Sequence, residues 1–104
     1  MSTTDFLKGH DLAVYSENWC PDCTRFKRWV QTSGVTTREI LISEHADAAE
    51  KLENETGKMA VPFILVDGKT WVRGYHKELP GRFSEPKLLE ELRAAIETGA
   101  SAIG

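Results

Sequence analysis

The stretch Leu12-Ala13-Val14-Tyr15-Ser16-Glu17-Asn18-Trp19-Cys20-Pro21-Asp22-Cys23 decides how this chain is read. A short apolar run passes through a polar turn into the only two cysteines of the 104 residues. From Pro21 onward Cys23, Phe26 and Val30 recur at i, i+3 and i+7, the spacing of one helix face, so the cysteines sit where a strand gives way to a helix. Pro21 suits a first helical position because its φ is fixed and the N–H it lacks would have no partner there. Two thiols three positions apart across a first turn can close a disulfide with little rearrangement. A sulfur at that end faces free N–H groups and the positive end of the helix dipole, which favour the thiolate, the nucleophile of disulfide exchange. Cys20 is therefore expected to be the reactive thiol, and Cys23, sharing a face with Phe26 and Val30, the shielded one.

Two other uses of the pair are weaker. A structural disulfide across so short a ring removes far less unfolded-state entropy than a loop of ~15 residues, which is worth about 3 kcal/mol. A zinc site needs a second ligand pair, and His10, His45 and His76 lack the short spacing of a zinc module. Each histidine is expected to be a surface or loop residue.

With 40% hydrophobic residues, 104 residues make one domain, expected to span 1–104 with its core at about 11–98. Residues 1–10 are polar, lack an apolar run, and read as a partly mobile tail rather than a signal or membrane segment. The default expectation is the cytoplasm, where a lone C-x-x-C is more often catalytic than structural. A net charge of −3 offers no general basic surface for nucleic acid.

Outward from the cysteines, Thr24, Arg25, Lys27 and Arg28 fill the other faces of the first helix, with Arg25 able to hold anionic groups near the thiolate, and Ser33-Gly34 is a stop signal. Ile40-Leu41-Ile42 reads as a central parallel strand. A peripheral helix follows, with Asp47 in the capping role and Glu50 three positions on, ending at Gly57. Val61-Pro62-Phe63-Ile64-Leu65-Val66, Asp67-Gly68 and Lys69-Thr70-Trp71-Val72-Arg73 form an antiparallel hairpin. Ser84 caps a last helix with a stripe at Leu89, Leu92 and Ile96, and the tail after Gly99 is expected to be disordered. Trp29 and Trp71 are assigned to packing. The order β-α-β-α-β-β-α predicts an α/β protein with a four-stranded mixed sheet flanked by helices.

A strand, C-x-x-C at a helix start, x-Val-Pro before the third strand, a hairpin, a glycine and a terminal helix together resemble the glutaredoxin branch of the thioredoxin superfamily over about residues 11–98. The resemblance implies a thioredoxin-like three-layer α/β/α fold. It implies Cys20 as nucleophile, Cys23 as resolving thiol, Pro62 as a cis-proline facing them, and a Val61 backbone that pairs with substrate. Trp19, Pro21, Asp22, Gly74 and Tyr75 complete the expected substrate contacts. The chain also departs from glutathione-binding members, with Glu17 where a lysine is usual, Ala60 where many have threonine, and Gly74-Tyr75-His76-Lys77-Glu78 in place of Gly-Gly-x-x-Asp. The single glycine followed by an aromatic resembles NrdH-type redoxins, the compact W-C-x-x-C layout mycoredoxins. Thioredoxin's buried acid on the first strand has no counterpart, Val14 standing six residues before Cys20.

The expected function is thiol–disulfide oxidoreduction on protein disulfides or glutathione mixed disulfides, with no bound cofactor, by a monomer. The alternative is an iron–sulfur or zinc carrier of the same fold. On charge placement alone, Glu17 sets thioredoxin reductase or another dithiol slightly ahead of glutathione as reductant, with Arg25, Lys58 and Lys77 as possible compensating cations. Asp22, as a free carboxylate beside Cys20, is expected to make the dithiol more reducing.

Overall fold

The computed structural model describes residues 2–104. Strand β1 (Leu12–Ser16) leads into helix α1 (Pro21–Ser33), followed by β2 (Arg38–Leu41), α2 (Ala46–Thr56), β3 (Phe63–Val66), β4 (Thr70–Arg73) and α3 (Glu85–Thr98). The sheet order is β2-β1-β3-β4, with β1 parallel to β2 and antiparallel to β3, and β3 antiparallel to β4. This is the expected mixed sheet in the expected chain order. Asp67 and Gly68, both at positive φ (53° and 68°), close the hairpin as an Asp-Gly turn should.

Side chains alternate across a strand, so consecutive residues of β1 feed two cores. Leu12 and Val14 join Phe26 and Trp29 of α1 and Leu88, Leu92 and Ala95 of α3. Ala13 and Tyr15 join Ala48 and Leu52 of α2 with Phe63, Leu65 and Trp71. Helices thus cover both faces, giving three layers, and full burial of side chains such as Leu52 contributes about 1.5–3 kcal/mol each.

Several expectations are corrected. β2 is an edge strand, its first two residues Arg38 and Glu39 exposed, as suits a strand end that must not recruit another. α2 packs in the second core, the only helix among the described residues to do so, rather than being peripheral, and it starts at Ala46 with His45 in the capping position; Asp47 is inside the first turn. The buried stripe of α3 is Leu88, Leu92 and Ala95, with Leu89 and Ile96 at its flanks. Residues 2–10 are not a loose tail, because a 3₁₀ turn at Asp5–Leu7 drives Leu7 into the first core; Met1 lies outside the described residues. After Gly99 the chain returns to the sheet: Arg73 N–H donates to the Ala102 carbonyl (2.8 Å) and Ala102 N–H to that of Trp71 (2.9 Å), which satisfies part of the free edge of β4. His76 is in a loop but has no exposed surface.

Candidate active site

The two cysteines stand where β1 ends and α1 begins, both as free thiols. Cys20 is the N-cap of α1, and its Sγ accepts the Cys23 backbone N–H at 3.2 Å. A sulfur thus fills the acceptor role that a serine or aspartate oxygen plays at other helix starts. The same Sγ lies 3.7 Å from the Val61 carbonyl oxygen, to which it donates. Cys23 is 4% exposed, and its thiol is pushed up to about 12, first by burial and then by its hydrogen bond with Cys20, against lowering contributions from the Ser16 hydroxyl and the Glu17 backbone. Cys23 therefore remains a thiol through the neutral range, and Cys20 is the sulfur that solvent reaches. The far side of Cys23 borders a groove of about 300 Å³ between α1 and β2, lined also by Ser16, Lys27 and Glu39.

The Val61-Pro62 bond is cis, as the resemblance implied. Pro62 is held against the end of β4 by the Gly74 N–H, which donates to its carbonyl at 2.9 Å. A Cβ on Gly74 would stand 2.9 Å from Pro62 Cγ and 3.0 Å from the Phe26 ring, so only glycine permits this approach. Trp19 is 81% exposed beside Cys20. Tyr75, by contrast, is buried with its ring edge-on to Phe63, centroids 5.8 Å apart, and is packing rather than surface.

The charges are arranged differently from the sequence expectation. Asp22 is not free: Arg82 grips it with Nε to Oδ1 at 3.0 Å and Nη2 to Oδ2 at 2.7 Å, and Arg25 Nη1 donates to Oδ1 at 2.7 Å. The Arg82 hydrogen bonds foremost hold the Asp22 carboxyl below its ordinary range, against partial burial. Glu17 is buried, with Oε1 accepting from Ser43 Oγ at 2.8 Å and from the Asn18 N–H at 3.3 Å, so its carboxylate is tied into the β2–α2 connection. Lys58 donates to the carbonyls of Ile103 and Gly104, which engages it away from the dithiol. Lys77 is exposed. Arg82 escaped the sequence reading altogether, since nothing local links it to a carboxylate 60 residues earlier. Among the described residues no three His, Cys, Asp or Glu side chains gather as a metal-ligand set, so the carrier alternative lacks a donor cluster within the chain.

The profile of the glutaredoxin family matches residues 12–71, which holds the dithiol, the cis-proline and strands β1 to β3. The chain belongs to the glutaredoxin family. It is 33% identical over 61 residues to glutaredoxin-C6 of Oryza sativa, covering 56% of this chain and 54% of that protein, and 33% identical over 63 residues to a glutaredoxin of Pseudomonas aeruginosa, covering 61% and 74%. The chain thus spans about half the length of the rice relative. The solution structure of a Brucella melitensis glutaredoxin shares the fold, with a TM-score of 0.55 at 22% identity over 86% of this chain and 91% of that one. Two free thiols at the start of one helix are groups that thiol–disulfide exchange can use. The loop at 74–84, with Arg82, lies beyond the family match.

Proposed function

We propose that Cys20 attacks a disulfide through its thiolate, joining one half of the substrate to Cys20 and releasing the other half as a thiolate that takes up a proton. Cys23 then attacks the Cys20 sulfur, and its proton passes to the departing sulfur in the same step. The bond between Cys20 and the substrate breaks, its electron pair leaves with the second thiol, and a Cys20–Cys23 disulfide remains. The observation that supports this division most is the contrast of the two sulfurs: Cys20 Sγ is reachable and capped by the Cys23 N–H, while Cys23 is 4% exposed. Val61 presents the backbone that substrate would pair with, and Trp19, Pro21, Asp22, Pro62 and Gly74 frame the approach. No membrane-crossing helix is found among the described residues. A monomer in the cytoplasm, without nucleic-acid or membrane partners, is the accompanying reading.

The preferred substrates are glutathione mixed disulfides, with glutathione as reductant. Glu17 no longer argues against this, being bound to Ser43, and Arg25 and Arg82 place two guanidinium groups at the helix end. A dithiol reductant such as a flavoprotein thioredoxin reductase is the second reading, supported by the buried Tyr75 and the absence of a Gly-Gly-x-x-Asp loop. Supplying NADPH with glutathione and its reductase, or with thioredoxin reductase, separates the two.

Cys20→Ser should abolish turnover of a small disulfide, and Cys23→Ser should trap a mixed disulfide on Cys20, visible by mass spectrometry. A trapped adduct on Cys23, or full turnover by Cys20→Ser, would overturn the assignment.

A further inference from the structure

We propose that Arg82 is a positioning residue of the redox centre: by gripping Asp22 it cancels the carboxylate beside Cys20 and leaves the start of α1 with a net positive charge. The inference rests on Cys20–Cys23 being the redox couple. Asp22 is two residues from Cys20 and has one partner on its own helix, Arg25, and one from the 74–84 loop, Arg82. One carboxylate and two guanidinium groups sum to +1. The Arg82 fork is bidentate, the arrangement that fixes orientation as well as charge. Both arginines remain partly solvated, at 40% and 45% side-chain exposure against 15% for Asp22. The hydrogen bonds to Asp22 foremost raise the Arg82 guanidinium above its ordinary range, so it keeps its charge beside that carboxylate.

The backbone supplies an independent observation. Arg82 has φ 58°, a region that a bulky residue rarely adopts. It is held there by its own N–H on the Leu79 carbonyl (3.0 Å) and by its carbonyl accepting the His76 N–H (2.8 Å), with His76 anchored in the interior. Unfavourable conformations of this kind persist where the surroundings over-determine them and cluster at functional sites. Here the result of that conformation is that Arg82 meets Asp22 from across the molecule.

The sign follows from counting charge around the reduced form, whose Cys20 thiolate is favoured by positive neighbours and disfavoured by negative ones. The equilibrium is Cys20–Cys23 disulfide plus two glutathione giving dithiol plus glutathione disulfide. Arg82→Gln takes the cluster from +1 to 0 and should move this equilibrium toward the enzyme disulfide by roughly two- to fivefold, for one charge at about 8 Å in an effective dielectric of ~40–80. Asp22→Asn takes it to +2 and should move it the other way by a similar factor. The double variant returns to +1 and should fall near wild type. Alkylation of Cys20 by iodoacetamide at fixed neutral pH should follow the same order, slowest in Arg82→Gln.

The experiment is a glutathione redox titration of wild type, Arg82→Gln, Asp22→Asn, the double variant and Arg82→Lys, with thermal melts alongside. A purely structural role predicts lower melting temperatures and unmoved equilibria. If Arg82→Gln does not fold, comparing Asp22→Asn with the double variant reads the same charge without leaving a lone carboxylate. Arg82→Lys, keeping the charge, should stay within about twofold of wild type. An equilibrium that does not shift on loss of the Arg82 charge, or a double variant that fails to cancel the single shifts, overturns the proposal. A wild type that forms no reversible Cys20–Cys23 disulfide would instead overturn the function proposed above.

Discussion

Residues 74–84 contribute to two arginine–carboxylate clusters that share hydrogen-bond geometry and differ in depth. At the dithiol, Arg82 and Arg25 hold Asp22 with both guanidinium groups partly in solvent. Behind it, Arg73 at the end of β4 donates to Glu78 (Nη1 to Oε1 at 2.9 Å, Nη2 to Oε2 at 2.7 Å) and to Glu91 of α3 (Nη2 to Oε2 at 2.9 Å), with its side chain only 8% exposed. His76 completes this inner cluster: Nδ1 accepts the Ser84 N–H at 3.1 Å, so the ring proton belongs on Nε2, which faces Glu91 Oε1 at 3.1 Å. The inner cluster joins β4, the loop and α3; its charges are spent on holding the loop. The outer cluster is shallow enough to act on a neighbouring thiolate and too shallow to contribute much to stability. Depth, more than bond length, separates a structural pair from a tuning one.

The largest effect should come from the inner cluster. Arg73→Met leaves Glu91, 16% exposed, and the His76 contact without their cation, and should cost about 3 kcal/mol, the lower end of the range for breaking a buried pair because Glu78 is 43% exposed. Urea melts of wild type and variant measure it. A loss under about 1 kcal/mol would mean that the inner cluster is no more structural than the outer one. Below its melting temperature the variant should still resolve disulfides, since Arg73 touches neither sulfur.

Acid tests both clusters at once. Arg73 hydrogen bonding holds Glu78 down to about 2, and Arg82 holds Asp22 below its usual range. For carboxyls whose folded pKa is depressed, the stabilisation is complete above the unfolded value and is lost as pH falls through the folded one. Stability should therefore decline from about pH 4.5 toward 2, and Glu78→Gln should lose less stability than wild type across that window. Acid melts followed by tryptophan fluorescence read the difference. An equal decline in both proteins would show that Glu78 is not depressed.

How much of this was legible in the sequence follows from which interactions are local. The cysteine spacing, Pro21, the Asp67-Gly68 turn, the Gly34 stop and the Ser84 cap each act within four residues, and the structure places each as expected. Strand order is not local: Ile40 and Leu41 read as central, although Arg38 and Glu39 before them were the available sign of an edge. Position of charge is still less so. From the sequence Asp22 reads as a free carboxylate because its principal partner, Arg82, lies 60 residues away, and Glu17 as a site charge because Ser43 lies 26 residues away. His76 read as a loop histidine because its partners, Ser84 and Glu91, come from beyond the loop. The tail after Gly99 reads as disordered from composition, yet two backbone hydrogen bonds to β4 need no distinctive side chain to form.

The smallest effect should come from a third arginine with nearly the same fork. Arg38 on the edge strand grips Asp11 with Nε to Oδ1 at 2.8 Å and Nη2 to Oδ2 at 2.9 Å, distances close to those of Arg73 on Glu78. Its side chain is 61% exposed and that of Asp11 45%, so water and salt screen the pair and compete for both groups. Arg38→Ala should cost no more than about 1 kcal/mol, and less still in 1 M salt, whereas the Arg73 variant should show little salt dependence. Melts of both variants at low and high ionic strength make the comparison. If the exposed pair proves as costly to break as the buried one, hydrogen-bond geometry rather than depth sets the strength of these forks. The shallow Asp22–Arg82 pair would then have to be counted as a fastening of the loop as well as a charge beside Cys20.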